Sequence, residues 1–187
     1  PQIPDVQQAY MKSAFFNSRV YARGHQIASA DRLGSEAANR QTFYATNMTP
    51  QIHNFNSGVW SSLEGQIRKW CEGSADTLYL VTGAVLKTVG GNEAVSYTPD
   101  KRGTEVAVPN YYYKVMIQKK SNGQYRAIGF WFENRSYGTG AKYADYITPI
   151  RTIEQRTGYD FFSNLPTGTQ ETLENQSVTV MKNDWNL

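Results

Sequence analysis

The sequence predicts an α+β fold in which strands outnumber helices. Apolar residues recur at steps of three and four from Val59 to Cys71, a spacing typical of an amphipathic helix. Apolar or alternating runs at 77–86, 111–118 and 126–132 are typical of strands, and the last is apolar enough to be buried on both faces. With 187 residues, the chain has the length of one domain, so we expect a single domain over 1–187.

The first half supplies one helix and two short extended segments. Residues 1–14 show no clear pattern and are predicted to form an N-terminal arm. An extended segment with a bend at Gly24 is expected within 15–26, before a loop or short helix. The composition of Thr42–Asn47 favours a second strand that ends near Pro50, because proline cannot donate to a ladder.

A helix from about residue 57 to 72 follows this second strand, and polar residues before it could cap its start. In the second half, the glycine-containing stretch 87–109 predicts a long excursion, with a hairpin as one form of it. A short helix at 148–157 is expected to end at Gly158. Residues 167–187 are interpreted as a polar C-terminal tail.

Composition excludes several classes of protein. Apolar residues make up 40% of the chain, enough for a core, while the longest apolar runs are far shorter than the roughly 18 residues of a membrane span. One cysteine and two histidines exclude an intrachain disulfide and a cysteine-based zinc cluster. Any metal should therefore be a hard ion held by oxygen.

The small positive charge is unevenly distributed. The net charge is +3, and residues 1–70 hold seven basic and four acidic residues, against twelve of each in 71–187. The whole excess lies in the first 70 residues. An ordinary solvated surface explains this as well as a nucleic-acid partner does.

Three polar segments within about forty residues suggest a catalytic site. They are Arg23-Gly24-His25, Asn47-Met48-Thr49-Pro50-Gln51, and Asn56 followed eight residues later by Glu64. A strand bearing histidine, a second strand and a helix that presents asparagine can fold into a compact finger. Such a set suits phosphodiester hydrolysis, because imidazole can accept a proton near its pKa of about 6.5 and a hard ion neutralises phosphate charge. One asparagine can hold Mg²⁺, which keeps most of its waters, and a guanidinium adds positive charge.

These segments, in this order, resemble the DNA/RNA non-specific endonucleases, the ββα-metal nucleases that include Serratia-type enzymes and endonuclease G. The resemblance covers about residues 17 to 165. It rests on the segments above and on the following runs: Ser29-Ala30-Asp31-Arg32, Asn56-Ser57-Gly58-Val59-Trp60, Val81-Thr82-Gly83, Val108-Pro109-Asn110-Tyr111-Tyr112-Tyr113-Lys114, and Ile153-Glu154-Gln155-Arg156-Thr157-Gly158-Tyr159-Asp160-Phe161-Phe162. It implies a ββα-metal finger packed on a central, mainly antiparallel sheet with flanking helices.

The resemblance also implies a role for each site residue. His25 is the general base that activates water, and Asn56 is the direct protein ligand of Mg²⁺, with Mn²⁺ as an alternative ion. Glu64 holds metal-bound water and Asn47 positions the site. The two basic residues near the scissile phosphate are Arg23 and Arg68.

The activity implied is Mg²⁺-dependent hydrolysis of DNA and RNA that leaves 5′-phosphate ends and rises with pH through about 6 to 7. By analogy with the family we expect a secreted or periplasmic bacterial protein, no membrane partner, and a homodimer as one option. Ala22 departs from the family, which usually has aspartate before Arg-Gly-His. The family also usually has strands before this motif. A catalytically inactive module that binds nucleic acid is therefore the alternative.

Overall fold

A computed structural model describes residues 9–10, 19–72 and 76–187. Most of the predicted N-terminal arm lies outside these residues. Over the described part the protein is α+β, as predicted. None of the helices found there is long and apolar enough to cross a membrane.

A hairpin and a helix form the finger. Strand β1 (Tyr21–His25) pairs antiparallel with β2 (Met48–Ile52), and His25 lies opposite Met48. The connection contains α1 (Glu36–Gln41). It also contains two 3₁₀ turns, at Ser29–Arg32 and Ala45–Asn47.

The helix of the finger begins directly after β2. It consists of α2 (His53–Phe55), a π-turn at Asn56–Trp60 in which Gly58 departs from helical angles, and α3 (Ser61–Cys71). Buried Val59, Trp60, Leu63 and Ile67 line its inner face, as the apolar spacing predicts. The helix therefore starts earlier than expected, although it follows the predicted stripe.

The predicted strand at 42–47 is wrong. This segment forms turns, and the strand is β2, which contains Pro50. Proline is tolerated because β2 has only one ladder partner, β1. The Pro50 carbonyl accepts hydrogen bonds from the Tyr112 hydroxyl (3.1 Å) and the Asn134 Nδ2 (3.1 Å), which fasten β2 to the rest of the molecule.

The second half forms the predicted antiparallel sheet. In it β6 (Tyr111–Lys119) lies between β3 (Thr77–Val85) and β7 (Tyr125–Glu133). The excursion between β3 and β6 contains a hairpin of β4 (Ser96–Pro99) and β5 (Glu105–Val108).

Alternation along β6 and β7 sends side chains into two cores. Tyr112, Met116 and Phe130 face the finger helix and α6 (Val178–Trp185). Residues on the opposite face of these strands, such as Val115, face α4 (Ile150–Thr157) and α5 (Thr167–Glu174). The finger thus lies on one face of the sheet.

Two elements near the C-terminus test the remaining predictions. Helix α4 ends as expected at Gly158, whose φ of 75° favours glycine. The region interpreted as a tail instead contains α5 and α6. Each buries only one or two apolar anchors, among them Trp185, so the hydrophobic period is too weak to read from sequence.

Candidate active site

His25 is the last residue of β1, and its ring has one fixed hydrogen bond. Nδ1 lies 3.0 Å from the carbonyl oxygen of Arg23. Because a carbonyl only accepts, Nδ1 must carry the proton, and the neutral ring then has its lone pair on Nε2. Backbone geometry within one strand therefore selects the tautomer that leaves Nε2 as a base.

The Nε2 atom of His25 is buried and has no hydrogen-bond partner among the described residues. Burial also lowers the pKa of the ring below its usual 6.5, so the ring is neutral at pH 7. An unpaired buried acceptor is unfavourable in the free protein. This arrangement suits a group that takes a proton from a ligand or water.

Arg23 lies two residues before His25 and therefore on the same side of β1. One aromatic ring contacts both: Phe43 lies 5.1 Å from the His25 ring, edge-on, and its centroid is 5.3 Å from the Arg23 guanidinium carbon. Phe43, which the sequence analysis did not select, thus fixes the position of both side chains.

Asn47 holds the loop that follows His25. Its Oδ1 accepts from the Ile27 N–H (3.0 Å), and its Nδ2 donates to the carbonyl oxygens of Ile27 (3.0 Å) and Thr42 (2.8 Å). All these bonds are to backbone groups. They fit the predicted positioning role.

Asn56 lies at the start of the π-turn and is half-buried. No hydrogen bond joins its carboxamide to any residue that the structure describes. π-Turns inside helices often occur at functional sites. The free carboxamide oxygen is a suitable ligand for a hard divalent ion.

Glu64 lies two helical turns after Asn56 and is mostly buried. Its Oε1 is 4.0 Å from the Nζ of Lys114, which belongs to β6. Burial raises the pKa of Glu64, and the positive charge of Lys114 opposes that rise. Sequence analysis missed Lys114, although a lysine in an otherwise apolar strand was a usable signal.

Arg68, one turn beyond Glu64, forms a 2.9 Å ion pair with Asp31. Asp31 follows His25 by six residues, so this contact ties the far end of α3 to the loop after β1. At the other end the His53 N–H donates to the Val20 carbonyl oxygen (2.9 Å). The helix therefore runs alongside the hairpin, and it carries Asn56, Glu64 and Arg68.

The other face of the hairpin explains two features of the sequence. A Cβ atom on Gly24 would lie 2.5 Å from the Gln51 Cβ, so glycine is required there. Gln51 is 0% exposed, and neither its Oε1 nor its Nε2 has a partner in the described part. It pairs with Ala22, which stands where the family usually has aspartate.

A second group of acidic residues, outside the finger, has the spacing of a metal site. Glu154, Asp160 and Glu174 bring carboxylate oxygens within 4.8 Å of one another. However, the Arg151 guanidinium lies 2.9 Å from Glu154 and 2.7 Å from Glu174. A cation already pairs with two of these three carboxylates, so the finger remains the better candidate.

The chain belongs to the DNA/RNA non-specific endonuclease family, whose profile matches residues 1–168. The resemblance on which the sequence analysis relied is therefore confirmed. The fold class is also confirmed by a chain of the crystal structure of the EndoG/EndoGI complex, with a TM-score of 0.70 and 25% identity over 85% of this chain and 66% of that chain.

Several curated proteins are similar to this chain. Nuclease C1 of Cunninghamella echinulata var. echinulata is 29% identical over 89% of this chain and 67% of its own length. Mitochondrial nuclease EXOG of Danio rerio is 32% identical (88% and 48%), and mitochondrial endonuclease G of Homo sapiens is 28% identical (86% and 55%). The chain thus spans between about half and two thirds of these relatives. The expected class, an enzyme of the nuclease type, is confirmed by family membership.

Proposed function

We propose that this chain is a Mg²⁺-dependent endonuclease that hydrolyses DNA and RNA without sugar specificity and leaves 5′-phosphate ends. The observation that carries the proposal is the state of His25. Its Nδ1–H is bonded to a backbone carbonyl, its Nε2 has no partner among the described residues, and its pKa is lowered, all within a chain of the nuclease family.

His25 acts as the general base in this proposal. Nε2 accepts a proton from the attacking water, and the Arg23 carbonyl holds the ring as the imidazolium forms. Asn47 keeps the following loop in place. Phe43 restricts the ring and the Arg23 side chain to one arrangement, which reduces the cost of organising the site.

Asn56 and Glu64 fit a hard divalent ion, because the first offers an unpaired carboxamide oxygen and the second a carboxylate on the same helix. When bound, Mg²⁺ or Mn²⁺ supplies positive charge that stabilises the phosphate and the leaving oxygen. Asn56 is the proposed direct ligand. Glu64 accepts hydrogen bonds from the water around the ion.

Arg23 and Arg68 are proposed to contact the phosphate. Guanidinium groups suit phosphate oxygens, and a site that reads the backbone rather than the bases does not discriminate between sequences. Arg68 pairs with Asp31, so the phosphate competes with that carboxylate for the guanidinium. Binding should therefore weaken as salt rises.

Cleavage of supercoiled plasmid and of RNA, with Mg²⁺ and with EDTA, tests the proposal. We expect His25→Ala to lose activity by about 10²- to 10⁴-fold, the usual contribution of a general base, and to keep its fold. Asn56→Ala should abolish metal-dependent cleavage. The matched control is His53→Ala, which removes the exposed second histidine of the finger and should stay active.

Product ends and binding complete the test. The 5′-phosphate ends should be joined by DNA ligase without prior phosphorylation. A wild-type protein that shifts nucleic acid in a gel but never cleaves it would support the inactive binding module instead. Near-normal turnover of His25→Ala would remove the histidine from its assigned role.

Two expectations remain predictions. A homodimer is checked by light scattering after size-exclusion chromatography. Secretion or periplasmic location is checked by cell fractionation. Two of the relatives above are named as mitochondrial nucleases.

A further inference from the structure

Lys114 is a buried cation directly below the finger helix. It occupies the middle of β6, on the face that Tyr112 and Met116 also line, and it is 1% exposed. Lysine is almost never fully buried without a compensating partner, because taking its ammonium out of water costs several kcal/mol.

Three groups surround the Lys114 ammonium. Nζ donates a hydrogen bond to the Thr82 Oγ1 (3.1 Å), and it lies 4.3 Å from the centroid of the Trp60 ring. The Glu64 Oε1 is 4.0 Å away and belongs to the carboxylate with which Lys114 forms an ion pair. At that distance the contact is an attraction between charges rather than a hydrogen bond.

Further charges surround this pair. Asp31 raises the pKa of Glu64, whereas Arg68 lowers it together with Lys114. Burial lowers the pKa of Lys114 to about 8, and the charges of Glu64 and Asp31 oppose that change. Lys114 is therefore mostly protonated at pH 7, when its charge acts on Glu64.

We propose that Lys114 is a positioning residue for the cleavage reaction: its buried ammonium orients the Glu64 carboxylate and stabilises its negative charge. The consequence for catalysis rests on the proposed function, whereas the effect on Glu64 does not. A residue that only filled the core could be methionine, as its neighbour Met116 is. The lysine places a fixed positive charge on the sheet side of Glu64.

The first test does not depend on catalysis. The titration of the Glu64 carboxyl, followed by carbon-13 NMR, should move to higher pH in Lys114→Met, because burial then acts without the compensating charge. Lys114→Arg, which keeps the charge, should give a smaller change. Gln118→Met is the matched control, since Gln118 is also 1% exposed on the same face of β6 but contacts Arg126.

The second test measures cleavage. Lys114→Met should lower kcat by about 10- to 100-fold, the usual effect of removing an outer partner of a metal site. Adding Lys114→Met to Glu64→Gln should cause no further loss, because the lysine acts through that carboxylate.

Each result decides the proposal. An unchanged Glu64 titration in folded Lys114→Met overturns it, as does a loss that adds fully to that of Glu64→Gln. Should Lys114→Met not fold, the Lys114 ammonium is titrated in Glu64→Gln, where its pKa must fall. If the wild-type protein cleaves nothing, the proposed function fails while the titrations still test Lys114.

Discussion

The finger and the acidic corner, here defined as Arg151, Glu154, Glu171 and Glu174, both bury polar groups but in opposite ways. In the corner, Arg151 forms ion pairs with all three carboxylates, and Glu154 also accepts a hydrogen bond from the Phe161 N–H (2.7 Å). In the finger, the Nε2 of His25 and both amide atoms of Gln51 have neither a hydrogen bond nor an ion pair in the described part. The corner oxygens that lack a hydrogen bond, on Glu154 and Glu174, belong to carboxylates that are paired with Arg151.

This difference distinguishes buried polar groups that stabilise the fold from those that are available to a ligand. Buried polar groups with internal partners fasten segments together, as Glu154 fastens the turn after α4. Buried groups without partners cost stability, and proteins retain them where a ligand completes the set. The acidic corner is the larger cluster of charge, yet the finger is the better candidate site.

The largest expected effect is a loss of stability when the acidic corner is changed. Arg151→Met should lower the free energy of unfolding by about 3 kcal/mol, the lower end of the range for breaking a buried pair because Arg151 is 34% exposed. Cleavage per folded molecule should not change. Denaturant unfolding at pH 7 measures the loss, which should shrink as the pH falls and Glu154, whose pKa burial raises, is protonated.

The control for this variant is Arg135→Met, which breaks the exposed pair with Glu133. Exposed pairs contribute about 0 to 1 kcal/mol. If Arg151→Met and Arg135→Met lost the same free energy of unfolding, the distinction between the acidic corner and an exposed ion pair would be wrong.

A smaller change in stability, of opposite sign, is expected for a substitution in the finger. Gln51→Met should raise the free energy of unfolding by about 1 kcal/mol, because it removes an amide that is buried without partners. Activity should fall if that amide serves a ligand. Gln118→Met, which removes a bonded amide, should not be stabilising, and destabilisation by Gln51→Met would contradict the comparison.

The smallest expected effect is on the pH dependence of cleavage. Because burial lowers the pKa of His25, the midpoint of the acid limb of kcat/KM should lie below 6.5, not across the range of about 6 to 7 that an unperturbed imidazole suggests. His53→Ala should leave this midpoint in place. A midpoint above 6.5 would show that another group controls the limb.

Sequence patterns located the central sheet closely but placed β2 wrongly. The strands β3, β6 and β7 are long and apolar, so their period is visible without the fold. The strand β2 contains a proline, which local rules exclude from a ladder, and only its position beside β1, with outside donors to the Pro50 carbonyl, makes it possible.

For the candidate site too, the sequence indicated some of the residues and missed others. The order of His25, Asn47, Asn56 and Glu64 along the chain was enough to suggest the chemistry, since the finger is built from neighbouring elements. Phe43, Asp31 and Lys114 were not selected, because each matters through a contact that the sequence does not reveal.

The sequence by itself determined which residue types the finger carries and the helical stripe that docks it on the sheet, because both are local patterns. Only the tertiary structure decided the burial that lowers the pKa of His25 and the lysine behind Glu64. In the first case Phe43 packs edge-on against the ring, and in the second β6 packs under α3, fifty residues away in the chain. These contacts span a few ångströms in space, and the separation of the residues along the chain does not reveal them.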